Sequence, residues 1–135
     1  MHLSTYLLFD GKCKEAMDFY RSIFGGELTH TTVGDSPMKD MFPAPLHARV
    51  VTARLKSGLV DISASDWLHP IEKPLNGNTV CLYLSGGTPE NTTMYFGKLS
   101  EGANVTDPIV DQPFGLYGAL NDKFGMRWMF HAERK

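Results

Sequence analysis

The sequence predicts an α+β fold of two βαβββ modules whose curved mixed sheets surround a cavity. Three observations carry this. The apolar period switches from two residues to 3.6 and back near the N-terminus, the same switch recurs in the second half, and glycine closes each helical stretch. Leu8 and Leu84, Tyr20 and Phe96, and Gly26 and Gly102 are each separated by 76 residues, which reads as an internal duplication. Each helical stripe needs a sheet face to cover it, and a single-sheet α+β sandwich would also supply one. The residues alone leave that alternative open.

Residues 2–9 alternate apolar and mixed positions as a strand with two substantially buried faces, ended by Asp10-Gly11. From Lys12 to Phe24 the stripe Ala16, Phe19, Tyr20 and Ile23 predicts an amphipathic helix, stopped by Gly25-Gly26. Residues 27–33 suit a second strand, and 34–46 lack a clean period and predict a loop. Strands over 47–56 and 59–65 flank Ser57-Gly58, read as a tight hairpin turn with glycine at positive φ. Asp66–Gly77, with Pro70 and Pro74, reads as a crossover. The second half repeats the order. Val80, Leu82 and Leu84 alternate as a strand, Thr88-Pro89-Glu90 opens a helix that reaches Gly102, and residues 103–110, 115–121 and 126–133 predict three strands.

The 135 residues, 42% hydrophobic and 21% charged, suit one domain over 1–135 composed of half-modules 1–66 and 79–135 joined by the crossover. The net charge of -2 gives no global field for a phosphate backbone, which argues against nucleic acid as a partner. Cys13 and Cys81 are too few for a disulfide framework or an all-cysteine zinc site, and they fit a reducing cytoplasm. No 18-residue apolar stretch and no basic segment leading into an apolar run occurs, so neither a membrane partner nor export is expected.

YLLFDGKCKEAMDFYRSIFGGEL (6–28) and YGALNDKFGMRWMFH (117–131) resemble the PhnB-like branch of the glyoxalase, bleomycin-resistance and dioxygenase superfamily, over nearly the whole chain. The resemblance implies the vicinal oxygen chelate fold, a homodimer, and in many members one metal held by four inward-facing strands. Aligned through DFY (18–20) and VDIS (60–63), the positions of those metal ligands fall at Thr5, Ser63, near Thr79, and Met129, with slippage able to bring Asp61 or Ser65 to the second. Hydroxyls and a thioether are poor substitutes for imidazole and carboxylate, so no metal and no other cofactor is expected. A methyltransferase-type label attached to some relatives finds no support in a Gly-rich strand-to-helix turn followed by an acidic residue.

The candidate ligand-binding residues are Thr5, Arg49, Ser63, Asp66, Trp67, Tyr83 and Met129. Asp66 is singled out because Ser65-Asp66-Trp67 sets a charge beside an aromatic platform, against the ordinary reading of an Asp that ends a strand. Arg49, like Arg127, is a strand cation that could bind an anion or pair with a carboxylate. Trp67, Tyr83, Tyr117, Trp128 and the Met38, Met41 and Phe42 cluster could line a cavity or simply fill the core, and Tyr83 is favoured over Trp128 because its parity follows Thr79 and Cys81 while Trp128 is out of phase with Met129. His2, His30, His47, His69 and His131 show no metal-ligand spacing, and only His47 and His131 fall near strand ends. Cys13 stands in a first helical turn, where the dipole could lower its pKa, but has no basic partner.

The leading expectation is a small, partly apolar molecule bound without a metal, with no catalytic residue assigned. Two alternatives are a diverged isomerase or lyase with a divalent metal shifted onto some of Asp61, Asp66, His47, His131 and Glu133, and a non-catalytic dimeric interaction protein.

Overall fold

The computed structural model describes residues 1–133. The chain forms two compact units, Met1–Pro74 and Leu75–Lys135. The first contains β1 (Thr5–Phe9), α1 (Cys13–Phe24), β2 (Glu27–Thr32), β3 (Val50–Lys56) and β4 (Asp61–Asp66), in the sheet order β1-β4-β3-β2. The second contains β5 (Leu82–Ser85), α2 (Pro89–Leu99), β6 (Asn104–Gln112), β7 (Gly115–Asn121) and β8 (Arg127–Ala132), in the order β5-β8-β7-β6. Each unit is a βαβββ module with a mixed sheet, its first strand parallel to its last and the other pairs antiparallel.

In the first module one sheet face is apolar. Leu7, Phe9, Ala53, Leu55, Ile62 and Ala64 are buried, and Phe9 meets Tyr20 of α1 at 6.5 Å between ring centroids. The helix buries Cys13, Ala16, Met17, Tyr20, Ile23 and Phe24, so Cys13, Met17 and Phe24 join the expected stripe while Phe19, expected in it, is only half-buried. In the second module Trp128, Phe130 and Leu120 are buried, and Phe96 of α2 packs edge-on against Phe130 at 5.6 Å. Gly118, paired with Phe130, brings β7 close under that helix, because a Cβ there would lie 2.8 Å from the Phe96 ring.

Strand pairing shifts the repeat by one residue at its start. Leu7 pairs with Ala64 as Leu84 pairs with Phe130, so Leu84 occupies the place of Leu7, and Tyr83 that of Tyr6. The helices keep the spacing read from the sequence, and the strand-to-helix connections absorb the difference. The modules diverge after their second strands. Residues 33–49 link β2 to β3 through two 3-10 turns, Lys39–Met41 and Ala44–Leu46, whereas only Pro113 and Phe114 link β6 to β7.

The Ser57-Gly58 turn works differently from its expectation. Gly58 has no positive φ, and the Ser57 hydroxyl accepts hydrogen bonds from the Leu59 and Val60 amides at 3.1 Å each. The side chain closes the turn, so left-handed backbone is not needed.

The helices are also started by different means. Thr88 caps α2 locally, its hydroxyl accepting from the Asn91 amide at 3.1 Å, with Pro89 in the first turn. Lys12 at the start of α1 makes no side-chain cap. The acceptor comes from β4 instead: Asp66 Oδ1 accepts from the Cys13 amide at 3.0 Å, and Oδ2 from the Val50 amide at 2.8 Å.

Candidate functional site

On the sheet face away from its helix, each module leaves aromatic surface open. In the first module Tyr6 and Leu8 are exposed there, opposite Ser63 and Ser65. In the second, Tyr83 pairs with Met129, and Ser85 with His131, which in turn pairs with Tyr117. Directly paired residues share a sheet face, so Tyr83, Ser85, Met129, His131 and Tyr117 stand together.

A cleft of about 530 Å³ opens in the second module at the ends of the parallel pair β5 and β8, lined by Tyr83, Ser85, Gly86, Gly87, Thr88, Pro89, His131 and Glu133. Tyr83 is 57% exposed and offers its ring as one wall. His131 forms another, with Nε2 donating to the Phe114 carbonyl at 3.1 Å and its ring beside that of Phe114. The β5–α2 turn contributes Gly86 and Gly87 together with Thr88 and Pro89 of the expected helix start. Gly86-Gly87 in front of a capped helix was the signal available. The combination of rings, hydroxyls, one imidazole and one carboxylate suits a small organic ligand.

The other candidates fall elsewhere. Asp66 is buried, 4% exposed, and both its oxygens are occupied by backbone amides. Trp67 donates from Nε1 to the Glu72 carbonyl at 2.8 Å in the segment after β4. Arg49 donates to Asp10 and to the Trp67 carbonyl, each at 2.9 Å, and thereby ties the β1–α1 connection to β3 and β4. Arg127 lies 3.6 Å from Asp107 and donates to Thr106 at 3.0 Å. Trp128 is buried, with its indole N–H donated to Asp122 at 2.8 Å. Asp122 escaped the sequence reading. It also accepts from the Phe124 and Met126 amides and so shapes the turn before β8.

The metal implied by the superfamily resemblance does not fit these residues. Thr5 pairs with Ile62, on the helix side of its sheet, while Ser63 pairs with Tyr6 on the opposite face, so the two cannot converge on one ion. Thr79 is an exposed hydroxyl before β5, and Met129 offers a thioether. Among the described residues no three His, Cys, Asp or Glu side chains gather into a potential metal site. Asp61 is held by Arg54 in a bidentate pair at 2.8 and 2.9 Å, and that guanidinium keeps its carboxyl below the usual range.

Cys13 reverses the expectation from the helix dipole. Burial pushes its thiol up to about 12, and the nearby Asp66 carboxylate adds to the shift. Among the described residues no helix is long and apolar enough to cross a membrane.

Comparison with known proteins follows the same architecture. The chain is 25% identical over 146 aligned residues to Protein YjdN of Escherichia coli (strain K12), covering 100% of this chain and 97% of that relative. Protein PA1353 from Pseudomonas aeruginosa superposes with a TM-score of 0.87 at 29% identity, over 100% of this chain and 99% of that one. The PhnB protein from Bacillus cereus superposes at 0.74 with 23% identity, over 98% and 99% of the two chains, a likeness of fold. The family model described as 3-demethylubiquinone-9 3-methyltransferase matches residues 1–130. The chain belongs to the family which that model describes, and it shares its fold with the PhnB protein.

Proposed function

We propose that the protein binds a small, partly apolar molecule in the second-module cleft, with Tyr83 as the aromatic wall and Met129 beside it on the open sheet face. The observation that carries this reading is the cleft itself: about 530 Å³ is within the range of small-molecule sites, and an exposed tyrosine ring faces solvent there instead of filling the core. Binding needs no metal, since the polar groups lining the cleft supply orientation. Ser63 and Thr5 belong to the other module, and Asp66, Trp67 and Arg49 act in this reading as supports of that module.

Two copies associate in solution, favoured by the exposed Tyr6 and Leu8 on the open face of the first module, and the protein works in the cytoplasm with both thiols reduced. Light scattering across a concentration series tests the dimer, and fractionation of the native host tests the compartment. For binding, a ring-containing metabolite library followed by ligand-observed NMR is the test, with Tyr83→Ala as control. Hits that are lost in Tyr83→Ala support the cleft; hits unaffected by that change, or no hits across the library, overturn it.

A further inference from the structure

One wall of the cleft deepens this binding reading, and the inference rests on it. His131 Nε2 lies 3.1 Å from the Phe114 carbonyl oxygen. A carbonyl only accepts, so in the neutral imidazole Nε2 carries the proton and Nδ1 is the acceptor. The backbone builds this in. Gly115 has φ 124°, and a Cβ there would come 3.1 Å from His131 Nε2 and 2.5 Å from the Ala132 carbonyl oxygen. Only glycine allows the imidazole to approach Phe114 so closely. The Phe114 ring, 6.0 Å from the imidazole and edge-on to Tyr117 at 5.9 Å, fixes the plane of the His131 ring. Nδ1 has no hydrogen-bond partner among the described residues.

We propose that His131 reads the ligand. Its Nδ1 accepts one hydrogen bond, so the cleft selects ring-bearing small molecules that present an N–H or O–H donor over molecules of the same shape without one. The rest of the lining agrees with an acceptor-rich site. Glu133 only accepts when ionised, the Tyr83 and Ser85 hydroxyls can turn to either role, and no lysine or arginine is among the described lining residues. His131 and Gly115 are thus a reading residue and its positioning residue, separated in sequence but joined across the β7–β8 pair.

The test uses the full chain labelled with nitrogen-15 and the probes indole and 2-naphthol, each beside a donor-free isostere, benzofuran and 2-fluoronaphthalene. Ring-nitrogen spectra of the free protein should show His131 protonated at Nε2. Indole and 2-naphthol should move the Nδ1 resonance and bind about 5- to 10-fold more tightly than their isosteres, the worth of one hydrogen bond. His131→Leu removes both ring nitrogens, so the ratio should fall to about one while the donor-free isosteres still bind, with circular dichroism checking that the fold is kept. A proton on Nδ1 in the free protein, a ratio near one in the unaltered chain, or undiminished discrimination in His131→Leu would each overturn the proposal. If donor and donor-free probes bind equally at Tyr83, only the selection of donors fails; if neither moves Tyr83 or His131, the cleft reading fails and takes the selection with it.

Discussion

Removing the Asp66 carboxylate should destabilise the protein far more than an exposed aspartate would. Its two oxygens accept from the Cys13 amide at 3.0 Å and the Val50 amide at 2.8 Å, and the residue is 4% exposed. In Asp66→Ala both amides are left buried without an acceptor, each costing about 1–3 kcal/mol. The start of α1 also loses a negative charge worth about 0.5–1 kcal/mol. Together these give about 2.5–7 kcal/mol, against total stabilities of about 5–15 kcal/mol for domains of this kind. Asp66→Asn retains one acceptor and turns an N–H toward the other amide, so about 2–3 kcal/mol is expected. Urea denaturation followed by circular dichroism measures both variants, with a reduced midpoint and an unchanged slope as the expected pattern. A second readout is specific to this contact. Asp66 is the smaller of the two causes that raise the Cys13 thiol, so Asp66→Asn should lower that pKa while burial keeps it above the free value of 9.0. A loss below about 1 kcal/mol for Asp66→Ala would refute the cap assignment, because no pair of orphaned buried amides is that cheap. Loss of ligand binding with full stability would instead make Asp66 a contact residue.

Thr88→Ala removes the local cap of α2 and should cost about 1 kcal/mol by the same denaturation assay, well below Asp66→Ala. Cys13 should resist a thiol reagent at pH 8 in the folded protein and react on unfolding, which mass spectrometry of the labelled chain resolves from Cys81. Because folding raises that thiol from 9.0 to about 12, its contribution to stability is complete below about pH 9 and is lost as pH rises toward 12; Cys13→Ala should flatten that part of the stability profile. Gly118→Ala forces a methyl toward the Phe96 ring and the Ile109 backbone and should cost about 1–3 kcal/mol, with line broadening at Phe96 in aromatic NMR spectra.

Much of the fold was legible because it is periodic. The α1 stripe, the Thr88-Pro89 helix start and the strand spacing all repeat signals that one segment can carry alone. The one-residue shift that puts Leu84 in the place of Leu7 could not be read that way, because β1 and β5 have apolar residues at both parities and only their pairing with Ala64 and Phe130 decides the face. The same limit placed Thr5 in the ligand alignment although it faces away from Ser63. Tyr83 stood out from its parity with Thr79 and Cys81; its pairing with Met129 lies across two strands and is seen only in the structure. The partners of Asp66 were not legible, since Cys13 lies 53 residues away and nothing near Asp66 in sequence announces an uncapped helix. His131 stands out in the sequence for its place near a strand end and as one candidate ligand of a shifted metal, whereas its place at the cleft depends on Phe114 and Gly115 across the hairpin.

The unequal capping of the two helices bears on the order in which the chain can fold. The α2 cap closes over three residues, while the α1 cap spans 53. The entropy of joining chain ends grows with the logarithm of loop length, which sets the remote closure about 2.5 kcal/mol above the local one. During synthesis α2 can be nucleated as soon as its own first turn emerges. The first module, although made earlier, must wait for residue 66 before its helix is secured, so the half translated second holds the more autonomous folding seed.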